Sequence, residues 1–244
     1  MKDHFSSQSD QYARYRPTYP PALYEFIALT AQGFEKAWDC GTGNGQVAIE
    51  LVRYFQQVYA TDISEPQLKN ALPHERILYT QQPAEKTNFQ DSFFDLVIVA
   101  QAVHWFDVEA FYLEVNRVLK DQGILVITGY GKIQVSPEVD EIIDDLYSNI
   151  VGPFWDKERR YVDENYQTIP FPLKEIPSPE IENYFNWSLE QLTGYLGTWS
   201  AVQHFIKQRG YDPVKRMVPQ LTEAWGNAGT KGITFPLLLR TGKK

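Results

Sequence analysis

The chain has 244 residues, of which 43% are hydrophobic and 22% charged, and these proportions exclude the disordered and fibrous classes. A formal net charge of -8 argues against a broad nucleic-acid surface, because such a surface needs clustered Lys and Arg to displace counterions. One cysteine, Cys40, excludes an intramolecular disulfide and favours a reducing compartment. The longest apolar run, residues 96–100, is far shorter than the roughly 20 residues of a membrane helix. We therefore expect a cytoplasmic protein that binds neither nucleic acid nor membrane.

Strands and helices alternate in the prediction for the first half of the chain. Short apolar runs, most of them bounded by Gly, Asp, Asn or Pro, predict strands at residues 36–40, 57–62, 76–79, 94–100 and 123–130. Amphipathic stretches of helical length fill the gaps, and two of them begin at capping signals, Ser64 with Gln67 and Asp107. The alternation is typical of βαβ units. We predict a Rossmann-like α/β fold with a doubly wound, mostly parallel, seven-stranded sheet and helices on both faces.

The pattern changes after residue 131. An acidic helix over residues 137–150 precedes a proline-punctuated aromatic stretch, which we interpret as part of a helical cap. A strand over residues 181–187, two helices within residues 189–226 and a final strand over residues 232–240 are predicted to complete the fold. We expect the final strand to lie at an edge of the sheet.

The strongest chemical signal is the run Asp39-Cys40-Gly41-Thr42-Gly43-Asn44-Gly45-Gln46, where the first strand turns into a helix predicted over residues 46–55. Such a glycine loop lets the backbone approach a nucleotide, and Asp62, at the end of the second strand, can accept hydrogen bonds from ribose hydroxyls. Gln46 stands where a dinucleotide fingerprint requires Gly or Ala, which disfavours a pyrophosphate. Asp39 would repel a pyrophosphate but attract an ammonium group. The loop therefore favours a nucleoside cofactor that carries an amino acid.

This run and the following Asp62 resemble motif I and its successor in the class I S-adenosylmethionine-dependent methyltransferases. The resemblance continues through Pro83-Ala84-Glu85, Phe94-Asp95-Leu96-Val97-Ile98-Val99 and Leu119-Lys120-Asp121-Gln122-Gly123-Ile124-Leu125. More narrowly, residues 12–20, 101–106 and 198–202 resemble a small-molecule branch, the trans-aconitate methyltransferase-like proteins.

The resemblance implies a cofactor, S-adenosylmethionine, with S-adenosylhomocysteine as the product. It also implies the cofactor contacts, which run from Asp39, Gly41 and Gly43 at the methionine end through Gln101 beside the sulfonium and Asp62 at the ribose to Ile63, Ala84 and Glu85 at the adenine. We expect no metal ion, because the sequence contains neither a His-x-x-x-His nor a Cys-x-x-Cys pair.

Two residues after the fourth strand, Gln101 and His104, are the predicted catalytic residues. Methyl transfer from a sulfonium is an in-line displacement in which the enzyme chiefly aligns the acceptor and excludes water, so a base is optional. His104 is the candidate base, because its ordinary pKa lies near neutrality. The alternative, which stays open, is a structural histidine or an orienting hydrogen-bond donor.

The aromatic, arginine-containing segment of residues 12–20 is predicted to fold over the pocket as a lid. Arg16 could pair with a carboxylate of the cofactor or of an acidic substrate, and it is predicted among the cofactor contacts. Tyr12 and Tyr15 could face the sulfonium, because ring faces attract cations. The alternative is that these residues only pack the N-terminal arm.

Three tryptophans, Trp105, Trp155 and Trp199, are predicted to converge as walls of the substrate pocket, with core packing as the alternative. The densest basic cluster, Lys157, Arg159 and Arg160, is interpreted as a solvated patch.

Together these features predict one methyltransferase domain over residues 1–244. Its expected parts are an N-terminal lid and helix at 1–35, a cofactor-binding core at 36–131, a substrate cap at 132–180 and 189–229, and C-terminal strands at 181–188 and 232–241. The expected acceptor is a small molecule, methylated on a carboxylate or hydroxyl oxygen. Its identity and the oligomeric state stay open.

Three other functions are weighed against this prediction. For an RNA or protein methyltransferase, the acidic charge counts against RNA, and the chain lacks the N-P-P-[YF] tetrad after the fourth strand. A nicotinamide-dependent reductase could use Tyr211 and Lys215, although Pro213 stands between them and Gln46 breaks the fingerprint. A cofactor-binding regulator without turnover is also compatible with the motifs.

Overall fold

Five parallel strands form the centre of the sheet in the computed structural model, which describes residues 15–244. They are β1 (Lys36–Cys40), β2 (Gln57–Asp62), β3 (Ile77–Gln81), β4 (Phe94–Ala100) and β5 (Leu119–Tyr130). Their spatial order is β3-β2-β1-β4-β5, so the direction of winding reverses between β1 and β4. All residues of β4 except the last are buried, as expected for a central strand of a doubly wound sheet.

Helices cover both faces of this parallel half. They are α1 (Pro21–Thr30), α2 (Gln46–Leu51), α3 (Glu65–Lys69) and α4 (Val108–Val118). Leu23 of α1 and Val47 of α2 pack with Ile98 on one face, whereas Phe111 of α4 packs with Val97 on the other. Alternate residues of β4 therefore belong to two separate hydrophobic clusters, one on each face of the sheet.

The predicted helix starts are confirmed in detail. The Ser64 side chain accepts a hydrogen bond from Gln67 N at 3.4 Å, and the Asp107 carboxylate accepts one from Ala110 N at 3.2 Å. The glycine-loop helix is shorter than predicted and ends at Leu51. The fifth strand is longer than predicted, because residues 119–122 continue it through an irregular register opposite Phe94.

The C-terminal half supplies a helical layer and three antiparallel strands. Its elements are α5 (Pro137–Asp145), which a wider turn Leu146–Ile150 continues, α6 (Arg160–Asp163), β6 (Lys174–Ile176), β7 (Glu182–Trp187), α7 (Leu189–Gly197), α8 (Ser200–Arg209), α9 (Pro213–Trp225) and β8 (Lys231–Lys243). Single turns of tighter helix occur at Val103–Trp105, Gly152–Phe154 and Lys157–Arg159. The helical layer packs on β7 and β8 through a cluster that includes Ile143, Leu192, Val202, Leu221 and Phe235.

Three details of the prediction are wrong. The sheet has eight strands instead of seven, because the short strand β6 and the strand β7 both pair with β8. Three helices occupy the span predicted for two, since Gly210 ends α8 in a left-handed conformation and the Asp212 side chain caps α9. The final strand does not lie at an edge, because β8 is inserted between β5 and β6.

No helix within residues 15–244 is long and apolar enough to cross a bilayer.

Candidate active site

A cavity of about 850 Å³, partly open to solvent, lies at the carboxyl ends of the central strands. This is the switch point between β1 and β4, where open α/β sheets bind ligands. The sequence-predicted residues that line it are Arg16, Asp39, Gly41, Gly43, Asp62, Ile63, Gln101 and Trp105. The fold therefore brings the glycine loop, the end of β2 and the end of β4 around one space.

The glycine loop is fastened to the end of β2 through Asp62. One carboxylate oxygen of Asp62 accepts from Gly43 N at 2.8 Å, and the other accepts from Ser64 N at 2.9 Å. Gly45 begins α2 at a φ of 83°, and a side chain there would collide with the Tyr79 hydroxyl. A Cβ on Gly43 would instead meet no atom of residues 15–244 within 4 Å, so among these residues the loop is open at this point to a bound molecule.

Two buried acceptor atoms face this cavity without a hydrogen-bond partner in the described part of the chain. They are Oδ1 of Asp39 and Oε1 of Gln67. The other oxygen of Asp39 accepts from the Thr42 hydroxyl, and burial raises the pKa of this carboxyl to about 7 although that hydrogen bond opposes the shift. Buried acceptors are normally satisfied, so the two atoms indicate donors on a ligand. Gln67 was missed in the sequence, where it counted only as a capping residue.

Gln101 is held by β5 instead of being free to react. Its side-chain Oε1 accepts from Tyr130 N at 2.8 Å, and its Nε2 donates to Tyr130 O at 3.4 Å. Its backbone is left-handed, with a φ of 55°, which costs energy for a residue with a side chain. The strand end is thus fixed in a strained conformation where it borders the cavity, and the catalytic role of Gln101 stays a prediction.

A second cavity of about 430 Å³ adjoins the first. Both cavities are lined by Arg16, Gln101 and Trp105, so they meet at the end of β4. The other described residues that line the second cavity are His104, Trp155, Arg159, Trp199 and Ser200. The three predicted tryptophans therefore lie around one space.

His104 is buried at the edge of the second cavity. Its Nδ1 lies 3.3 Å from the Tyr166 hydroxyl, and its ring packs against Trp105 with centroids 4.8 Å apart. Burial, reinforced by the positive charges of Arg159 and Arg16, lowers the pKa of His104 to about 3. The imidazole is therefore neutral and weakly basic at neutral pH, which favours an orienting role over that of a general base.

Arg159 faces the second cavity, so the interpretation of its cluster as a solvated patch is wrong for this residue. Its Nε donates to the Tyr147 hydroxyl at 2.9 Å and to Asp163 at 3.2 Å, and its guanidinium stacks 4.8 Å from the Trp155 ring centroid. The side chain is 18% exposed, whereas Lys157 and Arg160 are exposed residues. The i, i+4 spacing of Arg159 and Asp163 beside an aromatic stretch is a signal that could have revealed it.

Arg16 joins the N-terminal segment to the strands and the helical layer. Its guanidinium donates to the Tyr130 hydroxyl at 3.1 Å and to Thr198 O at 3.2 Å. It therefore borders both cavities from a fixed position.

Three of the predicted site residues within residues 15–244 line neither cavity, namely Tyr15, Ala84 and Glu85. Tyr15 borders a separate groove with Phe185 and Trp187, and Tyr12 lies outside the described residues. Ala84 is buried in the core, and Glu85 accepts a hydrogen bond from Asp107 N at 3.1 Å. Their contacts with the cofactor stay predictions.

Comparison with known proteins identifies the family. Residues 38–127 match a family model described as a methyltransferase domain. A protein of Dictyostelium discoideum named as a methyltransferase is 30% identical over 250 residues, which cover 99% of this chain and 95% of that protein. The chain is a class I S-adenosylmethionine-dependent methyltransferase.

Two further similarities extend over most of this methyltransferase. A protein of Mycobacterium tuberculosis, also named as a methyltransferase, is 36% identical over 210 residues, which cover 85% of this chain and 76% of that protein. A solved structure from Anaeromyxobacter dehalogenans, described as a type II methyltransferase, is 38% identical. It superposes with a TM-score of 0.87 and covers 94% of this chain and 98% of its own.

The geometry does not support the reductase alternative for this methyltransferase. Tyr211 packs edge-on against Phe205, and the Arg216 guanidinium lies 3.5 Å from its ring centroid. Neither Tyr211 nor Lys215 lines the two cavities at the ends of the central strands.

Proposed function

We propose that this methyltransferase transfers a methyl group to a carboxylate oxygen of a small acidic molecule bound in the second cavity. The observation that carries the proposal is the Arg159 guanidinium. Its Nε is fixed by Tyr147 and Asp163, whereas its two terminal nitrogens make no hydrogen bond within residues 15–244. A planar fork held in this way suits bidentate binding of a carboxylate.

The residues that line the first cavity fit the cofactor in their chemistry. Asp39 would hold its ammonium group, Asp62 its ribose hydroxyls, and the open side of Gly43 would admit its amino-acid portion. Gln67 adds an amide whose oxygen lacks a partner among the described residues. When bound, S-adenosylmethionine supplies an electrophilic methyl group, so that a C–O bond forms as the C–S bond breaks and the electron pair goes to sulfur.

The second cavity is cationic and aromatic. Arg16 and Arg159 contribute positive charge, and no Asp or Glu of the described chain lines it. Its tryptophans supply apolar walls, which exclude water and strengthen the attraction between a guanidinium and a carboxylate.

The state of His104 favours a carboxylate over a hydroxyl as the acceptor. A carboxylate is ionised at neutral pH and gives up no proton on methylation, whereas a hydroxyl needs a base. Among residues 15–244, His104 is the histidine that lines the second cavity, and its lowered pKa makes it a poor base. Its role in this proposal is to orient the acceptor.

An acceptor screen tests the proposed reaction. Purified protein is incubated with S-adenosylmethionine labelled in the methyl group and with panels of aliphatic and aromatic carboxylic acids, phenols, amines, tRNA and a protein extract. We expect label in the carboxylic acids alone, released as methanol by mild alkali because the product is an ester. Alkali-stable label in phenols or amines, or label confined to tRNA or protein, would contradict the proposal.

The affinity for the cofactor should depend on pH through Asp39. The pKa of Asp39 is raised to about 7, so binding of an ammonium group must expel a proton below that pH. We expect the association constant to rise about tenfold between about pH 5.5 and pH 7 and then to level off. The same shift makes the cofactor-free protein less stable as pH rises from 3.8 to about 7.

Calorimetric titration at a series of pH values measures this effect. An α-ammonium group stays protonated up to about pH 7.7, so the change below pH 7 belongs to the protein. The Asp39→Asn variant should bind more weakly and with no pH dependence in this range. An unchanged wild-type affinity between the two pH values would show that Asp39 does not contact the ammonium group.

A further inference from the structure

The Tyr166 hydroxyl is the hydrogen-bond partner of His104 Nδ1, at 3.3 Å. Tyr166 is fully buried, and its ring stacks on the imidazole with centroids 6.0 Å apart and planes at 23°. With Nδ1 engaged by Tyr166, Nε2 is the ring nitrogen left for the second cavity, which His104 lines. We propose that Tyr166 is a positioning residue, whose hydroxyl donates to Nδ1 and thereby fixes the His104 tautomer that carries its hydrogen on Nε2.

The backbone around Tyr166 is strained, and the strain serves to aim this side chain. Asn165 and Tyr166 both have left-handed conformations, with φ values of 54° and 59°. For a bulky residue this conformation is a genuine outlier, and it persists where the surroundings enforce it. Consecutive left-handed residues turn the chain sharply after α6, and the turn directs Tyr166 inward.

Arg240 of β8 enforces this turn. Its buried guanidinium donates through Nη1 to Tyr166 O at 2.7 Å and to Ile169 O at 2.5 Å. Its Nε donates to Glu175 at 2.7 Å. Charge-assisted hydrogen bonds to two carbonyls offset the cost of the strained turn. Strand β8 therefore fixes the backbone of Tyr166 through Arg240.

Gly129 of β5 provides the space in which Tyr166 and Gln101 meet. A Cβ at this position would lie 2.9 Å from the Tyr166 hydroxyl and 2.5 Å from Gln101 Oε1. Both distances are too short for any Cβ contact, so a residue larger than glycine would displace one of the two side chains. One packed unit beside the second cavity is thus formed by Gly129, Gln101 and Tyr166, and His104 contacts it through Tyr166.

A fixed Nε2–H is useful chemically at this place. In a neutral imidazole one ring nitrogen donates and the other accepts, and the hydrogen bond at Nδ1 decides which. A donor at Nε2 adds to the guanidinium groups of Arg159 and Arg16 and attracts a carboxylate. The opposite tautomer would present a lone pair and repel it.

Nitrogen NMR of histidine-labelled protein tests the tautomer without any assumption about the substrate. The resonances of His104 are assigned by their loss in His104→Gln, and the protonated ring nitrogen is identified in wild type, Tyr166→Phe and the control Tyr161→Phe. The Tyr161 hydroxyl accepts from Arg160 at 3.1 Å and belongs to the same segment. We expect hydrogen on Nε2 in wild type and control, and a mixture of tautomers in Tyr166→Phe. Hydrogen on Nδ1 in wild type, or no change in Tyr166→Phe, would overturn the proposal.

Kinetics test the consequence for methyl transfer, and this part rests on the proposed function. With a carboxylic acid found in the screen, Tyr166→Phe should lower kcat/KM about tenfold, the value of one hydrogen bond, and leave the dissociation constant of S-adenosylmethionine unchanged. Gly129→Ala should lower kcat/KM further than Tyr166→Phe does. Equal kcat/KM in Tyr166→Phe and wild type would remove the positioning role. If the screen finds no carboxylic acid that is methylated, the proposed function is overturned, whereas the NMR result on the tautomer still stands.

Discussion

The Asp62→Ala variant should lose at least about a hundredfold in affinity for S-adenosylmethionine. Each hydrogen bond to a charged group contributes about 1.5–3 kcal/mol, and the Asp62 carboxylate can accept from both ribose hydroxyls. The carboxylate also accepts from Gly43 N and Ser64 N, so its removal loosens the glycine loop as well. Calorimetric titration with the cofactor, with NADH in parallel, measures the loss.

Two companion variants make this result specific. Asp62→Asn keeps one acceptor oxygen and should fall between wild type and alanine. Glu65→Gln removes an exposed carboxylate three residues away, which pairs with Lys69 at 2.8 Å, and should bind the cofactor as wild type does. If Asp62→Ala keeps wild-type affinity with an unchanged melting temperature, the ribose is not held by this carboxylate.

Truncation of Arg159 should strongly reduce methyl transfer to the acceptor and leave the affinity for the cofactor nearly unchanged. We expect Arg159→Ala to lower kcat/KM for the carboxylic acid by about a hundredfold or more, because removal of one partner of a buried charge pair costs 2–5 kcal/mol. The cofactor affinity should stay within about twofold, since Arg159 lines the second cavity but not the first. Initial rates over a range of acid concentrations, with saturating cofactor, provide the measurement.

The neighbouring arginine supplies the control. Arg160 is exposed and contacts Tyr161, so Arg160→Gln changes the net charge equally without touching the second cavity. Arg159→Lys keeps the charge but not the planar fork, and should recover only part of the activity. Equal losses in Arg159→Ala and Arg160→Gln would indicate a general effect of charge and would argue against an acceptor site at Arg159.

The cofactor-binding half could be predicted well because its signals are local. The bounds of β1, β2 and β4 follow directly from apolar runs ended by polar or glycine residues. Asp39, Gly43 and Asp62 come together because parallel strands end at one edge of the sheet, so consecutive strand ends are neighbours in space. A single sequence therefore contains enough information to locate the first cavity.

The acceptor side was less predictable because its contacts join distant segments. Arg159 and Tyr166 lie in a stretch with little regular structure. Tyr166 forms a hydrogen bond with His104 and Arg159 lines the same cavity as His104, which lies more than fifty residues earlier in the chain. The position of Tyr166 depends on Arg240 of β8, a strand that follows more than sixty residues later in the sequence. The short β6 has no apolar alternation of its own and forms because β8 offers it a partner, so the strand count could not be predicted from local patterns.

The position of β8 has a consequence for how the protein is made. It follows the seven other described strands in sequence, yet in space it separates β5 from β6 and also pairs with β7. Until residues 231–243 emerge from the ribosome, β5 presents an open, largely apolar edge, and such edges pair with other chains. The paired residues of β5 and β8 lie more than one hundred residues apart in sequence, which slows closure of the sheet. A nascent chain of this enzyme is therefore most prone to aggregation after β5 has emerged and before β8 has emerged.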